Sequence, residues 1–421
     1  MVRKYLLVSV LMAFAGSCAV LLAARRRPLT PITPPTFHRE ISRILQQRCQ
    51  ECHREGGVAP FALTTFEETR TWASNIRYMT QTRQMPPWKP APDCGEFSGD
   101  LSLNQREIDT IAAWVALGAP EGERRDAPAP ISFDSSWPRG TPEMILRSAE
   151  VYVPPLDEDM FRCFVLPETF SEERFVKSID FRPSARELVH HIIAYVDTSG
   201  RAEELDAKDP LPGYEAFGGP GFPPAAILGA WFPGSRPQLL PEGVAMRIPP
   251  GGRIVLQIHY GGHGQATRAD QTEMGLYFFA SSPQRLFEYM LVDNQQFTIP
   301  AGDPDFRVEA TSTLPRNIRI LNIGTHAHWL ARKMKVQAIL PDGTSRCLLS
   351  IQDWDPKWQG MYSFKDPIDL PAGTRIELTA HYDNSEANRR NPHRPPIDVV
   401  FGEEAENEMC STYLGYVVGG G

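Results

Sequence analysis

Several features that mark large protein classes are missing from this sequence. It has no long basic block and a formal net charge of -8, so nothing in it indicates a nucleic-acid partner. It also has no short-period repeat and no low-complexity tract, which argues against a repeat architecture. Charged residues make up only 22% of the chain against 42% hydrophobic residues, and this balance excludes a disordered protein.

What is present indicates a protein of several domains. A chain of 421 residues is too long for one ordinary core and suits two or three domains. The 39 prolines and 32 glycines favour many turns and short strands over long helices.

The N-terminus is predicted to be a targeting segment, residues 1–27. An apolar run at residues 6–24 lies between two basic residues and three consecutive arginines. The run is long for a signal peptide and just long enough for a membrane span, so cleavage and retention as an anchor both stay open. The arginines argue weakly against export, but the cysteine motif described next favours it. Cys18 follows Ala15 by three positions and makes a poor lipoprotein signal.

The strongest single motif is a C-x-x-C-H at residues 49–53. It is the pattern of covalent c-type haem attachment, in which Cys49 and Cys52 add to the haem vinyl groups and His53 supplies an axial nitrogen. The alternatives are a thioredoxin-like C-x-x-C pair and half of a zinc site. A zinc site would need a second Cys/His pair nearby, and none occurs before Cys94.

A second axial ligand should be a methionine or a histidine about one small domain downstream. Met85 is the preferred candidate, because two prolines follow it and stiffen the loop that carries it. Met79 is the competitor, but it lies in a helix-like stretch and suits the core better. With these features, residues 36–122 resemble a small class I cytochrome c, including a closing helix with Trp114.

Two helices are predicted in this region. One precedes Cys49, and the other begins at a capping box and ends before Gly118. Their apolar positions recur at helical spacing. The residues concerned are Ile41, Ile44 and Leu45 in the first helix, and Ile108, Ile111, Ala112 and Val115 after a Ser102–Gln105 capping box in the second.

From about residue 145 the pattern changes to short β-rich runs separated by proline and glycine turns, which is typical of β-sandwiches. The clearest runs are residues 189–196, 253–260, 274–279 and 318–323. A break near residues 281–294 would divide this part into two modules of similar size. The predicted organisation is a targeting segment at 1–27, a linker at 28–35, an all-α cytochrome c domain at 36–122, a linker at 123–144, and two all-β modules at 145–283 and 284–417.

The histidines of the β-rich part form two groups. His190 and His191 are adjacent and His259 follows in a β-rich run, while His326 and His328 form an H-x-H motif. In a strand, the two histidines of an H-x-H point to the same face, so they can chelate one metal without backbone distortion. Adjacent histidines normally face opposite ways, so the first pair can share a metal only at a strand end or a bulge.

Met409 adds a soft ligand to the second group. A thioether favours Cu(I) over zinc or magnesium, so a His-His-Met set can bind a copper ion that shuttles between two oxidation states. His259 can complete an all-imidazole site in the first group. Each of these residues alone is as readily explained by packing or by a surface position, and it is their order along the chain that favours copper.

This ordered set resembles the signature of the copper type II ascorbate-dependent monooxygenases, which include peptidylglycine α-hydroxylating monooxygenase and dopamine β-monooxygenase. The matching segments are His-His, Leu-Gln-Ile-His-Tyr-Gly, Thr-His-x-His and Glu-Met-Cys, spread over residues 145–417. The resemblance implies two antiparallel jelly-roll-like domains that face each other across a cleft. It also implies two copper ions, an electron-storing copper held by His190, His191 and His259 and an oxygen-binding copper held by His326, His328 and Met409.

Two further positions bear on the substrate. In the peptide-amidating members an arginine two residues before the H-x-H anchors the substrate carboxylate, and this position is Gly324 here. A tyrosine that helps to position peptide substrate is kept as Tyr413. Without the anchoring cation, a peptide C-terminus is not the expected substrate.

Four cysteines outside the leader and the C-x-x-C-H motif allow three pairings, and the residues do not choose among them. They are Cys94, Cys163, Cys347 and Cys410. The family's disulfide next to the ligand methionine lacks its partner, because the matching stretch at residues 379–382 has no cysteine. Cys410 is therefore expected to pair with Cys347 or to stay free.

The remaining histidines and two tryptophans are interpreted as structural residues. They are His38 before the first helix, His263 in a glycine-rich turn, His381 and His393 in an Asx- and proline-rich loop, and Trp354 and Trp358 as packing aromatics.

The favoured hypothesis is an exported monooxygenase, containing one covalent haem c and two copper ions, that hydroxylates a C–H bond of a small organic substrate with O2. The reaction consumes two further electrons, and the cytochrome c region would relay them from an external donor to the copper centres. The first alternative is a haem and copper electron-transfer or copper-binding protein without hydroxylase activity. The second is an electron-carrier subunit of a larger assembly. The expected location is periplasmic or otherwise exported, with association to the inner membrane if residues 1–27 are retained.

Overall fold

The computed structural model describes residues 33–57, 59–133, 137, 139–155, 160–232, 240–261, 268–279, 281–402, 404 and 406–419. The predicted targeting segment and His263 lie outside these residues. Among the helices that the structure describes, none is long and apolar enough to cross a membrane.

The part of the chain before residue 123 is helical and has a hydrophobic cluster of its own. Its helices are α1 (Ser42–Arg48), α2 (Phe66–Thr71), α3 (Ala73–Gln81) and α4 (Gln105–Ala116), and a π-helical turn, Phe37–Ile41, precedes α1. The apolar stripe predicted before Cys49 is buried, with Ile41 and Leu45 at 0% exposure, and it shares the cluster with Trp114 of α4. The two ends of this unit meet where Phe37 N donates to the carbonyl of Pro120 at 2.9 Å.

The capping box of α4 is formed by Asn104 and Glu107. The Asn104 side chain accepts from Glu107 N at 3.0 Å, and the Glu107 carboxylate accepts from Asn104 N at 2.8 Å. The predicted Ser102–Gln105 box is therefore wrong. Leu103, only 5% exposed, belongs to the same cluster as Ile108, and this apolar pair flanks the observed cap as a hydrophobic staple does. The predicted end of the helix is confirmed, since α4 stops at Ala116 and Gly118 has a φ of 83°.

The rest of the described chain is rich in β-strands and contains one short α-helix, α5 (Arg201–Asp206). The strands are β1 (Met144–Arg147), β2 (Met160–Phe170), β3 (Arg174–Arg182), β4 (Val189–Asp197), β5 (Tyr214–Glu215), β6 (Ala226–Trp231), β7 (Val244–Ile248), β8 (Gly252–Tyr260), β9 (Glu273–Phe278), β10 (Arg285–Asp293), β11 (Thr298–Ile299), β12 (Phe306–Thr313), β13 (Ile318–His326), β14 (Ala331–Ile339), β15 (Ser345–Ile351), β16 (Met361–Leu370), β17 (Arg375–Tyr382), β18 (Val399–Val400) and β19 (Ser411–Val418). All four β-rich runs predicted from the sequence are strands.

The strands form two sandwiches that share one continuous sheet. This eight-stranded sheet has the order β1-β9-β3-β7-β10-β19-β13-β16. A five-stranded sheet, β5-β2-β8-β4-β6, shares a hydrophobic core with its first half, and a four-stranded sheet, β12-β17-β14-β15, shares another with its second half. Each core consists of inward-facing apolar residues from both of its sheets, as is usual in β-sandwiches.

The two sandwiches are joined through β10. It pairs in parallel with β7, where Arg285 lies opposite Val244, and antiparallel with β19 from Phe287 to Asp293. Leu321 and Val417 of the second sandwich contribute to the core of the first. The segment in which the sequence predicts a break therefore carries the strand that connects the two sandwiches.

A segment of the helical part is attached to the second sandwich. Cys94 forms a disulfide with Cys347 of β15. Isolated bridges pair Pro90 with Ile351 and Phe97 with Phe364. The helical unit is thereby linked to β15 and β16 both covalently and by backbone pairing.

This disulfide decides among the pairings left open by the sequence. The expectation that Cys410 pairs with Cys347 is wrong, and the alternative that Cys410 stays free is confirmed. Cys347 lies on β15, the outer strand of its sheet, next to the attached segment, whereas Cys410 and Cys163 are free and fully buried in the two sandwiches.

Candidate metal centres

The adjacent histidines lie at a bulge near the start of β4. The register of β4 against β8 shifts between Val189 and His191, so the two side chains are no longer held to strictly opposite faces. Their Nδ1 atoms are 3.3 Å apart. The condition predicted for His190 and His191 to share a metal is met.

His259 completes this group from the neighbouring strand. It lies opposite His191 in the β4–β8 register, and one ring nitrogen from each of the three histidines lies within 4.8 Å of the others. The ring of Phe161 stacks on His259 with a centroid distance of 4.0 Å. Two nitrogens bound at ~2.0–2.1 Å to one ion with a tetrahedral angle lie about 3.3 Å apart. The His190–His191 spacing therefore fits a shared small transition-metal ion.

The protonation state of His191 suits a metal ligand. Burial lowers the pKa of His191 well below its usual value, and the neighbouring histidines lower it further. A neutral imidazole is the form that binds a metal, so no proton has to be displaced from His191 at neutral pH.

The H-x-H motif lies at the end of β13, and its two rings are oriented by separate acceptors. His326 is the last residue of the strand, and its ring centroid is 5.1 Å from that of His328. His326 Nδ1 lies 2.5 Å from Gln359 Oε1, and His328 Nδ1 lies 2.9 Å from the carbonyl of Asn407. Because Gln359 Nε2 donates to Pro356 O at 2.9 Å, its oxygen faces His326. Both histidines are thus left with Nε2 for a metal, the usual arrangement of metal-binding imidazoles.

Burial also keeps the H-x-H histidines neutral. It lowers the pKa of His326, and it lowers that of His328 to about 3 with the help of the neighbouring His326. His259 of the other group lowers the pKa of both further, so the two groups are close enough for their charges to interact.

Glu408 holds the H-x-H turn against Met409. Its buried carboxylate accepts from the backbone N–H groups of His328 at 2.8 Å, Leu330 at 2.5 Å and Met409 at 3.2 Å. Burial raises the pKa of Glu408 to about 7, although these donors act in the opposite direction. Reasoning from the sequence missed this residue, and its only signal was its place in the Glu-Met-Cys segment.

Both groups line one cavity of about 690 Å³. The cavity wall contains every residue predicted as a copper ligand and also Tyr413. These residues are His190, His191 and His259 from the first sandwich, and His326, His328, Met409 and Tyr413 from the second. The tertiary structure therefore brings together two sets of residues from distant parts of the sequence. His190 and His191 lie more than a hundred residues before His326.

The position that lacks the anchoring arginine is closely packed. Gly324 pairs with Tyr413 between β13 and β19. A Cβ atom at Gly324 would lie 2.5 Å from Met361 Sδ and 2.8 Å from the carbonyl oxygen of Gly360. The backbone contact leaves no room for a side chain, so this wall of the cavity has no cation at that position.

The C-x-x-C-H motif lies in the turn that follows α1. His53 N donates to Cys49 O at 2.9 Å, and His53 Nδ1 lies 3.2 Å from Phe61 O. This leaves Nε2 as the ring nitrogen for the axial bond that the sequence predicts. Neither Cys49 nor Cys52 is part of a disulfide. Among the residues that the structure describes, the three side chains do not converge as a metal-ligand group.

Met85 is half-buried in the loop after α3, and its N–H donates to Met79 O at 3.1 Å. Met79 lies within α3, as the sequence predicted. No hydrogen bond links Met85 to His53 in the described part of the chain. The assignment of Met85 as second axial ligand remains a prediction.

Three further histidines that the structure describes, His38, His381 and His393, lie outside the cavity wall. His381 Nδ1 is 2.9 Å from Asp305 Oδ1, and His393 Nε2 is 3.1 Å from Glu406 O. The prediction of a loop is wrong for His381, because it pairs with Arg307 and lies within β17. His38 Nε2 lies 3.2 Å from Glu121 Oε1.

The two tryptophans differ in their surroundings. Trp354 is 1% exposed in the core of the second sandwich, which confirms it as a packing residue, and its indole N–H also donates to His328 O at 3.1 Å. Trp358 lines the cavity instead of the core, so the packing interpretation is wrong for it. Trp358 N donates to the carbonyl of Asp355 at 3.0 Å in a turn, and no pattern in the sequence indicated this turn.

No curated protein sequence matches the chain. Solved structures with some similarity include the major capsid protein P2 from bacteriophage PM2, with 13% identity, 65% of this chain and 97% of that chain covered, and a TM-score of 0.27. Another is the VP2 subviral particle of infectious bursal disease virus, with 13% identity, 70% and 76% covered, and a TM-score of 0.20. TM-scores this low carry no argument about fold or function.

A family model does match the second sandwich. The match covers residues 286–418, less than half of the chain, and includes His326, His328, Met409 and Tyr413. The model is that of the copper type II ascorbate-dependent monooxygenase, C-terminal domain. This part of the chain is therefore similar to a domain of copper-dependent monooxygenases, which are oxidoreductases.

Proposed function

We propose that the protein is an exported, copper- and haem-dependent monooxygenase that hydroxylates a C–H bond of a small organic substrate with O2. The observation that carries this proposal is that a three-histidine group and a His-His-Met group line the same cavity. The family match of residues 286–418 supports the same chemistry at the second group.

Two copper ions are proposed, one for each group. His190, His191 and His259 would hold the first, and His326, His328 and Met409 would hold the second. Imidazole ligands suit copper in general, and a thioether favours its reduced form, so the donor sets fit the proposed ions. When bound, copper would supply oxygen activation and the electrons for hydroxylation.

The chain itself orients the ligands. Gln359 and the carbonyl of Asn407 hold the two rings of the H-x-H motif, and Glu408 holds Met409 beside them. The cavity wall is mainly apolar and includes aromatic residues such as Phe161, and Tyr413 is proposed to position the substrate in the cavity. Fixed ligands in a largely apolar cavity need little rearrangement during a reaction.

The substrate is proposed to be a small organic molecule. The packing at Gly324 excludes the cation that anchors a peptide carboxylate in the amidating relatives. A cavity of about 690 Å³ is in the range that suits small-molecule ligands.

A covalent haem c is proposed for the helical unit, with Cys49 and Cys52 as thioether partners and His53 and Met85 as axial ligands. The region 36–122 would accept electrons from an external donor and relay them to the copper centres. The attachment of this unit to β15 and β16 supports the relay, because it keeps the donor region beside the copper-binding cavity.

Export is proposed on two grounds. The proposed haem c attachment would take place outside the cytoplasm, and a disulfide such as Cys94–Cys347 is typical of an oxidising compartment. Association with the inner membrane through residues 1–27 is part of the same proposal. No nucleic-acid partner is proposed.

The relay is tested on the full haem- and copper-loaded chain without substrate. The haem is reduced selectively under strict anaerobiosis, stopped-flow absorbance follows its reoxidation, and EPR counts the remaining Cu(II). We expect copper-dependent haem oxidation with a matching loss of Cu(II) that His259→Ala abolishes. His381→Ala, which removes a histidine outside the cavity, is the matched control and should leave the exchange unchanged.

Hydroxylation is tested with the same protein and ¹⁸O2 on a panel of organic compounds. Incorporation of one labelled oxygen atom into a product supports the monooxygenase. Electron exchange without substrate-dependent oxygen uptake across the panel would instead favour an electron-transfer protein. A haem that stays reduced beside two loaded copper sites would reject the relay.

A further inference from the structure

Arg186 stands out among the charged residues of the cavity. It lines the cavity four residues before His190 and is half-buried. Within the part of the chain that the structure describes, its guanidinium forms no hydrogen bond and no ion pair. Its Cζ lies 5.8 Å from the centroid of the Trp231 ring, which supports the side chain from one side.

The charges around Arg186 do not balance. Burial lowers the pKa of Arg186, Asp180 raises it, and the neighbouring Arg54 and Arg182 lower it again. Among the charged side chains that act on Arg186, Asp180 is thus a buried carboxylate set against two further guanidinium groups. Within the described residues, the Asp180 carboxylate accepts from the backbone N–H of Phe181 at 2.9 Å and forms no ion pair with Arg186. A partly desolvated cation without a bonded anion is stabilised by binding one.

The rest of the cavity indicates the size and polarity of the anion. Its wall is mainly apolar, and large aromatic residues contribute from both sandwiches. They are Phe161, Phe217, Phe232, Trp329 and Trp358. Lys357 also lines the cavity, but it is exposed, so water screens its charge. An arginine is the better partner for a carboxylate because it can donate two parallel hydrogen bonds.

We propose that Arg186 binds a carboxylate group, and that the substrate is an organic acid with an apolar, aromatic-sized body. This inference rests on the proposed function and names the substrate class of the same cavity. The anchoring cation comes from the first sandwich, in place of the one that the packing of Gly324 excludes from the second. A haem propionate is the other source of the same chemistry, because Cys52 is close enough to Arg186 for their charges to interact.

The test measures binding of 4-phenylbutyrate and of its neutral primary amide by isothermal titration calorimetry. The full chain is used with haem attached and copper reduced under anaerobiosis, so that no turnover occurs and the soft Cu(I) competes little for the carboxylate. We expect the acid to bind about tenfold more tightly than the amide, as a charge-assisted hydrogen bond implies. Arg186→Gln should remove this preference, and Arg186→Lys should restore only part of it.

Arg182→Gln is the matched control. It removes the same charge from the same cluster, but Arg182 stacks on Trp137 and does not line the cavity. The preference for the acid should survive in this variant and in Lys357→Gln. Loss of the preference in either control but not in Arg186→Gln would overturn the assignment.

The haem midpoint potential distinguishes the two sources of the carboxylate. If the wild-type protein shows no preference for the acid and Arg186→Gln alone shifts the potential, the carboxylate belongs to the haem and the acid substrate is rejected. If neither quantity responds to Arg186→Gln, the proposal fails altogether. Haem and copper contents are measured first, so that failure of the proposed function appears as missing metal and not as a missing preference for acids.

Discussion

Single side chains outside the two proposed ligand sets hold the ligands in place. Gln359 reaches His326 from a loop more than thirty residues away, and its amide is itself fixed by Pro356 O. Only glycine fits at position 324 without a shift of its neighbours, because Met361 and Gly360 occupy the space that a side chain would need. Both residues act by geometry, so their roles are testable without knowing the substrate.

Replacing Gln359 by leucine should weaken metal binding at the H-x-H site. The substitution removes the acceptor that orients His326, and loss of such a partner typically lowers metal affinity about 10–100-fold. Competitive titration of Cu(I) against a chromophoric chelator measures this, with the three-histidine group expected to keep its affinity. Gln337→Leu is the control, at a half-buried glutamine of the same sandwich whose Nε2 donates to Ser345 Oγ at 3.0 Å. Equal affinities in Gln359→Leu and wild type would show that the contact does not orient the ring.

Gly324→Ala should destabilise the protein by about 1–3 kcal/mol, because the added methyl group meets backbone at Gly360 as well as the side chain of Met361. Urea denaturation measures the free energy of unfolding. Gly219→Ala, whose added Cβ would meet no atom within 4 Å, should change it little. An unchanged stability in Gly324→Ala would mean that the neighbouring residues can shift to accommodate a side chain, and that a larger residue is not excluded at this position.

At the scale of elements, the site depends on where strands end and shift. The bulge at the start of β4 allows two adjacent histidines to approach one point, and the end of β13 places His326 just before the turn that carries His328. The carboxylate of Glu408, in the segment just before β19, accepts hydrogen bonds from the backbone of that turn and from Met409 N. A single carboxylate thus joins two segments about eighty residues apart in sequence.

Glu408→Ala should loosen this connection. Three backbone N–H groups would lose their acceptor inside the protein, which we expect to cost about 2–4 kcal/mol of folding free energy. Copper affinity at the His-His-Met group should fall as well, because Met409 would no longer be held beside His328. Denaturation and Cu(I) titration measure the two effects, with Glu406→Ala at the exposed rim as the control. Loss of stability without loss of affinity would confine Glu408 to a structural role.

At the scale of the whole molecule, the helical unit and the two sandwiches are connected at two places. The shared sheet joins the sandwiches through β7 and β10. The Cys94–Cys347 disulfide and the adjacent backbone pairs join the helical unit to the second sandwich. Trp88 adds an edge-to-face contact with Tyr362, with ring centroids 5.3 Å apart.

The disulfide should contribute strongly to stability, because its cysteines are 253 residues apart. Crosslinking so long a loop restricts the unfolded chain, and we expect the Cys94→Ser/Cys347→Ser double variant to lose about 3–5 kcal/mol. Denaturant titration with and without a reductant measures this. The reductant should destabilise the wild type and leave the double variant unaffected. A wild type that is insensitive to complete reduction would contradict the expected contribution.

Much of the organisation follows from local patterns. The two helices around Cys49 and Trp114, all four β-rich runs and the need for a bulge at His190 were open to prediction, because each depends on neighbouring residues. The capping box of α4 was misplaced by two residues, because Ser102 and Asn104 have equivalent partners three positions on. Only the burial of Leu103 distinguishes the two alternatives.

By itself, the sequence determined the residue types available for chemistry: the C-x-x-C-H motif, the two histidine groups and Met409, since donor chemistry and spacing are local properties. Only the tertiary structure decided which distant residues meet. The pairing of Cys94 with Cys347, the roles of Gln359 and Glu408, and the position of Arg186 in the cavity depend on how the sheets pack. Such contacts arise from the burial of apolar faces over the whole chain, and no spacing along the sequence encodes them.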